Sequence, residues 1–541
     1  MFRNLGGFRP YLLLVLLCLA LYLPGLATVP PIDRDESRFA QASHQMIESG
    51  DYIRIQFQDE VRAKKPAGIY WLQSASAKLF DAQNEIWAYR LPSALGALLA
   101  VLLTFHFGQH LFGRYAASIG AALLACALIL VSEAHQAKTD AVQLACVVAA
   151  QGVLARLYLF GRGIGKRPPL AEIMLFWLAM GFGILIKGPI VPMVSLLTVI
   201  TLCIADRKVL WLQPIRPISG VLLAAAIVAP WAAAISHATD GQFIGQAVKQ
   251  DLLPKLLGAQ ESHGAPPGYF LGLLTALMWP ASLFAVPGFV RAVKLRQAAS
   301  LRFCLAWIVP AWLVFEIVPT KLPHYALPTF PALALLACII VAAEDSLLKS
   351  WWAKLYAGLW LLVGLAVAGA AIYAPIKLGE GVTVAAGVTA LVALTAAVLP
   401  SALFWRQKYH AALNAALAGA IVTYAGIFIG VLPSLDRMFL SQRIADALSP
   451  GTPVVAAGFH EPSLVFLMGT QTKLTLGGGA ADFLLHTPDA VAIVEKEARP
   501  DFDAAIAASG RKVRVLTTMD GFNYSRGRPA SLTLFALEGK P

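Results

Sequence analysis

Apolar runs close to the length of a membrane crossing recur from Tyr11 almost to Pro433, and about 20 such residues are what an α-helix needs to traverse hydrocarbon. No water is available there, so each run must be a helix that satisfies its own backbone N–H and C=O groups. The balance of the chain agrees. Apolar side chains make up 58% and charged ones 14%, whereas soluble domains carry about 25% charged residues.

The net charge of +12 raises the question of nucleic acid, but the cations form neither one contiguous patch nor an arginine-rich helix, and no nucleic-acid partner is expected. They flank the apolar runs instead: Arg3 and Arg9, Arg114, Arg162 with Lys166 and Arg167, Arg207 and Lys208, Arg291 with Lys294 and Arg296, Lys349 and Lys354, Arg406 and Lys408. The positive-inside rule makes those loops cytoplasmic. The first run ends in Leu-Pro-Gly followed by Pro-Pro, lacks a small-residue cleavage pattern, and reads as a retained anchor. Cys18, Cys126, Cys146, Cys203, Cys304 and Cys338 all fall inside apolar segments without C-x-x-C spacing, so they read as packing residues.

Spans are expected near 11–29, 91–112, 115–132, 141–160, 171–187, 189–205, 218–237, 269–289, 301–318, 324–343, 354–375, 380–402 and 411–433. That is about thirteen crossings, an all-α polytopic membrane bundle over residues 1–433, with the N-terminus inside. Residues 434–541 then lie outside. There, short apolar runs at 453–457, 490–494, 512–516, 521–524 and 531–537 alternate with helix-like stretches, which predicts a small α/β domain closing with a hairpin. Two outward loops are long and polar, 30–90 and 238–268. In the first, Phe39, Ala42, Met46 and Ile47 share one helical face, and Ile69, Leu72, Ser76 and Leu79 follow Pro66, as in helices lying along the membrane surface.

The chemistry concentrates in those outer segments. Asp33-Arg34-Asp35-Glu36-Ser37-Arg38 gathers three carboxylates just past the first span. Asp35 or Ser37 can cap the following helix, and the same acids can do chemistry; the two uses are compatible. Arg62-Ala63-Lys64-Lys65-Pro66 sets cations ahead of Tyr70-Trp71, where a lysine can hold a lipid phosphate or simply attract anionic headgroups. Lys138-Thr139-Asp140, Lys187-Gly188-Pro189 and Lys321-Leu322-Pro323-His324-Tyr325 join spans on the same outer face. Ionisable groups at membrane depth are costly and usually functional, so their convergence points to a site. No G-x-x-x-x-G-K-[ST] loop appears, and no G-x-G-x-x-G follows a predicted strand. The activated donor is therefore expected to be membrane-borne.

The order of Asp35-Glu36-Ser37-Arg38-Phe39-Ala40, Lys65-Pro66 with Tyr70-Trp71, Asp140, Lys321 to Tyr325, and Gly521-Phe522-Asn523-Tyr524-Ser525-Arg526-Gly527 resembles the bacterial aminoarabinose transferases of lipid A. More distantly it resembles the protein O-mannosyltransferases; both are GT-C glycosyltransferases. The resemblance implies that Asp35 is the catalytic aspartate and that Lys65, Lys255 and Tyr325 bind the donor phosphate. It also implies that Glu36, Tyr70, Asp140, Lys321 and His324 belong to the cavity. The chain departs from those relatives at Lys64, where the aminoarabinose enzymes have an acid, and at Lys255, where relatives carry arginine.

The expected function is thus inverting transfer of a sugar from a polyprenyl phosphate, undecaprenyl phosphate in bacteria, to an extracytoplasmic lipid or glycan acceptor such as lipid A. The expected location is the inner membrane, with the site and the C-terminal domain periplasmic. No cofactor is expected to be required. The D-x-D reading of Asp33-Arg34-Asp35 makes a divalent metal the second choice, since nearby cations can supply the same charge. The rival class is a transporter or flippase of a lipid-linked substrate; such proteins hold their binding groups near the midplane within broken helices, often in paired halves.

Overall fold

The computed structural model describes residues 7–247, 249 and 264–539. The first ten helices are α1 (Arg9–Tyr22), α2 (Asp35–Ser49), α3 (Gly68–Leu79), α4 (Ile86–Phe112), α5 (Arg114–Ala125), α6 (Leu128–Ala134), α7 (Asp140–Gly161), α8 (Leu170–Lys187), α9 (Ile190–Asp206) and α10 (Pro217–Ala238). Later apolar helices are Tyr269–Leu277, Ser282–Lys294, Ala299–Ile317, Phe330–Ala342, Trp351–Leu378, Val384–Trp405 and Tyr409–Gly426.

Among the described residues, nine helical segments are long and apolar enough to cross a membrane, and a tenth is formed if α5 and α6, bent by 62° at Cys126–Ala127, act as one span. Thirteen were expected. The difference has a physical origin: α1 and α9 are shorter than the other spans, and the expected span at 269–289 breaks into two helices around Met278 to Ala281. The bundle has a centre and a rim. In α7 and in Pro323–Ala342, 78% and 83% of the spanning residues are buried by protein, against 22% in α10 and in Trp351–Leu378, which present leucines and valines outward.

Small residues let the central helices touch. A Cβ on Gly96 of α4 would lie 2.7 Å from the Val142 Cα of α7, and one on Gly152 of α7 would lie 2.1 Å from the Phe107 ring. Such close approach is how helices associate where lipid offers no hydrophobic drive.

Two helices outside the bundle, α2 and α3, pack side by side over its end. Phe39, Ala42 and Met46 of α2 are buried as their spacing predicts, and Ile47 is half-buried. The face of α3 differs from expectation: Ile69 and Ser76 are buried, but Leu72 and Leu79 point outward. Polar pairing sets that rotation. Ser43 Oγ donates to Gln73 Oε1 at 2.7 Å, and Ser74 Oγ donates to the Ser43 carbonyl at 2.9 Å.

The C-terminal region folds as a five-stranded sheet. Its strands are β3 (Val454–Ala457), β4 (Lys473–Thr475), β5 (Val491–Glu495), β6 (Val513–Asn523) and β7 (Arg528–Leu537), after a short hairpin of β1 (Gln56–Phe57) and β2 (Glu60–Val61) in the first outer loop. Their order is β4-β3-β5-β7-β6, with β3, β4 and β5 parallel and β7 antiparallel to both neighbours. Alternate residues feed opposite cores: Val454 and Ala456 face Leu464 and Leu534, whereas Val455 and Ala457 face Leu484 and Phe502. The runs at 512–516 and 521–524 are one strand, carried past an irregularity between Val515 and Thr517. The edge strand β4 has no sequence expectation behind it.

Candidate active site

At the end of the bundle that carries α2 and α3, a cleft with ≈ 1150 Å³ of empty space, part of it open to solvent, is walled by residues from five parts of the chain. The turn into α2 supplies Asp33, Arg34, Asp35, Glu36 and Arg38. The β2–α3 segment supplies Arg62, Lys64 and Lys65. The start of α7 brings Lys138 and Asp140, the end of α8 brings Lys187, and the turn at 320–325 brings His324 and Tyr325. Seven cationic side chains line the cleft against four carboxylates, so its field favours an anion.

Asp35 sits in the first turn of α2 and opens into this cleft. Neither it nor Ser37 caps the helix. The N-cap is Arg34, without a side-chain bond, and Ser37 Oγ donates back to the Ile32 carbonyl at 2.7 Å. Burial alone would raise the Asp35 carboxyl, but Lys138 and Arg62, joined by Lys65, outweigh it and hold the group below its ordinary range. Asp35 is an ionised carboxylate among cations.

Arg62, Lys138 and Lys187 each have a support. The Arg62 guanidinium lies 5.2 Å from the Phe39 ring centre, and its Nε donates to Tyr70 Oη at 3.2 Å. Lys138 Nζ lies 3.0 Å from Glu133 Oε1; burial opposes its charge, yet Glu133 and Asp140 keep the ammonium protonated above its usual range. Lys187 pairs with Asp140 and stands 5.4 Å from the Tyr325 ring centre. His324 lies between two acids, its Nδ1 3.5 Å from Glu133 Oε1 and its Nε2 3.8 Å from Asp140 Oδ1.

The structure brings Asp35, Glu36, Lys65, Asp140, His324 and Tyr325 to one cleft. Three of the candidates have their side chains engaged elsewhere. Glu36 reaches the wall, but its carboxylate accepts from Arg90 Nε and Nη2 at 2.8 Å each, from Ile32 N–H at 2.8 Å and from Ala137 N–H at 2.9 Å. It is a buried structural pin. Tyr70 is fully buried behind Arg62 and outside the lining. Lys321 turns away, its Nζ donating to the Ala265 and Val318 carbonyls at 2.8 Å each. Lys255 lies outside the described residues, as does most of the loop around it.

Sequence reasoning passed over Arg38, Glu133 and the C-terminal contacts. An acid in an otherwise apolar stretch, as Glu133 is, was the available signal. The C-terminal sheet region closes one side: Asp33 N–H donates to Tyr524 Oη, Asp33 Oδ1 accepts from Ser463 N–H at 3.0 Å, and the Arg34 guanidinium donates to the Ser525 carbonyl. A second cavity of ≈ 960 Å³ adjoins, sharing Arg38, Arg62 and Lys64 and adding His460 and Pro462.

Comparison with solved structures shows where this fold, a helical bundle with a cleft at its end beneath a sheet region, occurs elsewhere. ArnT from Cupriavidus metallidurans matches over 98% of each chain when bound to undecaprenyl phosphate, with a TM-score of 0.72 at 20% identity. Its apo form matches over 96% of this chain and 97% of that one, with a TM-score of 0.74 at 20% identity. In sequence, this chain is similar to bacterial arabinosyl transferases over part of its length. It is 30% identical over 330 residues to the undecaprenyl phosphate-alpha-4-amino-4-deoxy-L-arabinose arabinosyl transferase of Aeromonas hydrophila, covering 60% of this chain and 58% of that one. It is 28% identical to the enzyme of the same name from Pectobacterium carotovorum, over 66% and 65% of the two chains. The match thus spans less than two thirds of those relatives' length. The family described as dolichyl-phosphate-mannose-protein mannosyltransferase matches residues 64–233.

Proposed function

We propose that the protein is an inverting glycosyltransferase that moves a sugar from undecaprenyl phosphate, or another polyprenyl phosphate, to an acceptor on the periplasmic side of the bacterial inner membrane. The observation that carries this reading is an ionised Asp35 sharing one cleft with Arg62, Lys65, Lys138 and Lys187. The names of the relatives support the donor class. The acceptor is an envelope lipid of the lipid A kind or a glycan, entering through the cavity beside Arg38 and Lys64.

In the reaction an acceptor oxygen attacks the anomeric carbon from the face opposite the phosphate. The bond from that carbon to the phosphate oxygen breaks, and its electron pair leaves with the polyprenyl phosphate, which gains one negative charge. Lys65, with Arg62 and Lys138 nearby, stabilises that charge as it develops. A hydroxyl acceptor gives its proton to Asp35; a phosphate acceptor is already anionic, and Asp35 then orients it.

No divalent metal is needed in this scheme. Asp33 Oδ1 is bonded to Ser463 N–H, so the two acids of the D-x-D face different partners, and the cations perform the neutralisation. The test is mass analysis of envelope lipids and glycans from cells with and without the protein, alongside purified protein in liposomes with polyprenyl-phosphate sugars. A mass difference of one sugar residue, formed with inversion, is expected. Identical masses and no transfer in liposomes would overturn the reading.

A further inference from the structure

The residue that joins Asp33 to Asp35 has a backbone that L side chains rarely adopt: Arg34 has φ 68° and ψ −112°. A conformation of this kind persists only where its surroundings over-determine it. On the bundle side, Glu36 is fixed by Arg90 and the Ala137 N–H. On the other side the turn is held from the C-terminal region: Tyr524 Oη receives Asp33 N–H, Ser463 N–H donates to Asp33 Oδ1 at 3.0 Å, and the Ser525 carbonyl receives the Arg34 guanidinium. These partners are themselves linked, since Asn523 Nδ2 donates to Glu461 Oε1 at 2.8 Å and Ser463 Oγ donates to Ser441 Oγ at 2.6 Å.

We infer that the C-terminal domain is part of the catalytic apparatus, with Tyr524 and Asp33 acting as positioning residues. They hold the Arg34 turn in its unfavourable backbone and so aim the Asp35 carboxylate into the cleft. This rests on the reading of Asp35 as the catalytic carboxylate. Other contacts of the domain, among them Gln41 Nε2 to Thr470 Oγ1 at 2.7 Å and Thr470 Oγ1 to Glu48 Oε2 at 2.6 Å, grip α2 further along and do not touch the turn.

The experiment uses the full-length protein in liposomes. Tyr524→Phe removes the hydroxyl, and Asp33→Ala removes the acceptor of Ser463 N–H while Asp33→Asn keeps one. Small displacements of a catalytic group cost rate steeply. Tyr524→Phe and Asp33→Ala should therefore lower kcat by about tenfold or more with donor KM unchanged, Asp33→Asn should recover most of that loss, and Thr470→Val should leave kcat at the wild-type level. Amide exchange over residues 32–38 should quicken roughly threefold or more in the two damaging variants alone.

Wild-type kcat and unchanged exchange in Tyr524→Phe would overturn the inference, as would an equal loss in Thr470→Val. If the wild type transfers no sugar, the functional reading itself fails, and the inference with it. If it transfers sugar and Tyr524→Phe does so equally well, only the inference fails.

Discussion

Asp35 and Glu36 are adjacent carboxylates put to opposite uses. Both oxygens of Glu36 are taken up by Arg90 and by backbone N–H groups, whereas Asp35 faces the cleft. Glu36→Gln leaves the 1%-exposed Arg90 guanidinium without a counter-charge, so the folded protein should lose about 3–5 kcal/mol, read as a lower melting temperature in detergent. Asp35→Asn should keep the wild-type melting temperature and lower transfer about 10²–10⁴-fold, the range for losing a general base. Lys65→Ala should raise donor KM by about tenfold, as expected for one charge-assisted hydrogen bond, and also lower kcat, because the same ammonium meets the charge that develops on the phosphate, both measured by titrating polyprenyl-phosphate sugar. Residue types and their order were enough to point to Asp35, Glu36, Lys65, Asp140, His324 and Tyr325 as residues of one cleft. They were not enough for Tyr70 and Lys321, whose side chains meet Arg62 and the Ala265 and Val318 carbonyls, contacts that only the folded loops create.

At the scale of elements, the α2 turn and the β6–β7 hairpin meet through Asp33. Burial, with Glu461 nearby, pushes its carboxyl up to about 7 against the hydrogen bonds from Ser463 and Tyr524. The folded protein therefore holds this proton where the unfolded chain, with its ordinary value near 4, has released it. The stabilisation is complete below about pH 4 and is lost as pH rises to about 7. Melting temperatures between pH 5 and 8 should show a downward trend that Asp33→Asn removes. The register of α3 was hidden from the sequence for a related reason: Leu72 and Leu79 look like core residues by periodicity, but Gln73 and Ser74 find partners on α2 and turn the leucines outward. Likewise the mild polarity of Thr517 and Thr518 reads as a gap between strands, although both residues pair along β7.

For the molecule as a whole, hydrophobic runs made the membrane bundle legible, because lipid leaves the backbone no alternative to helix. Breaks and bends were not legible: the 62° corner between α5 and α6 has no proline to announce it. The balance of seven lining cations against four carboxylates predicts turnover that survives a chelator. Purified protein treated with excess EDTA should transfer sugar at its untreated rate, and a loss restored by magnesium or manganese would show that the cations are insufficient.

The bond between Asp33 and Tyr524 closes across 491 residues. A ribosome makes the α2 turn early and reaches its clasp only after every span of the bundle has emerged. Until that late segment arrives, the Arg34 turn lacks its contacts with Ser463, Tyr524 and Ser525. If Tyr524 aims Asp35 as inferred, a half-synthesised chain is inactive until its last strands arrive.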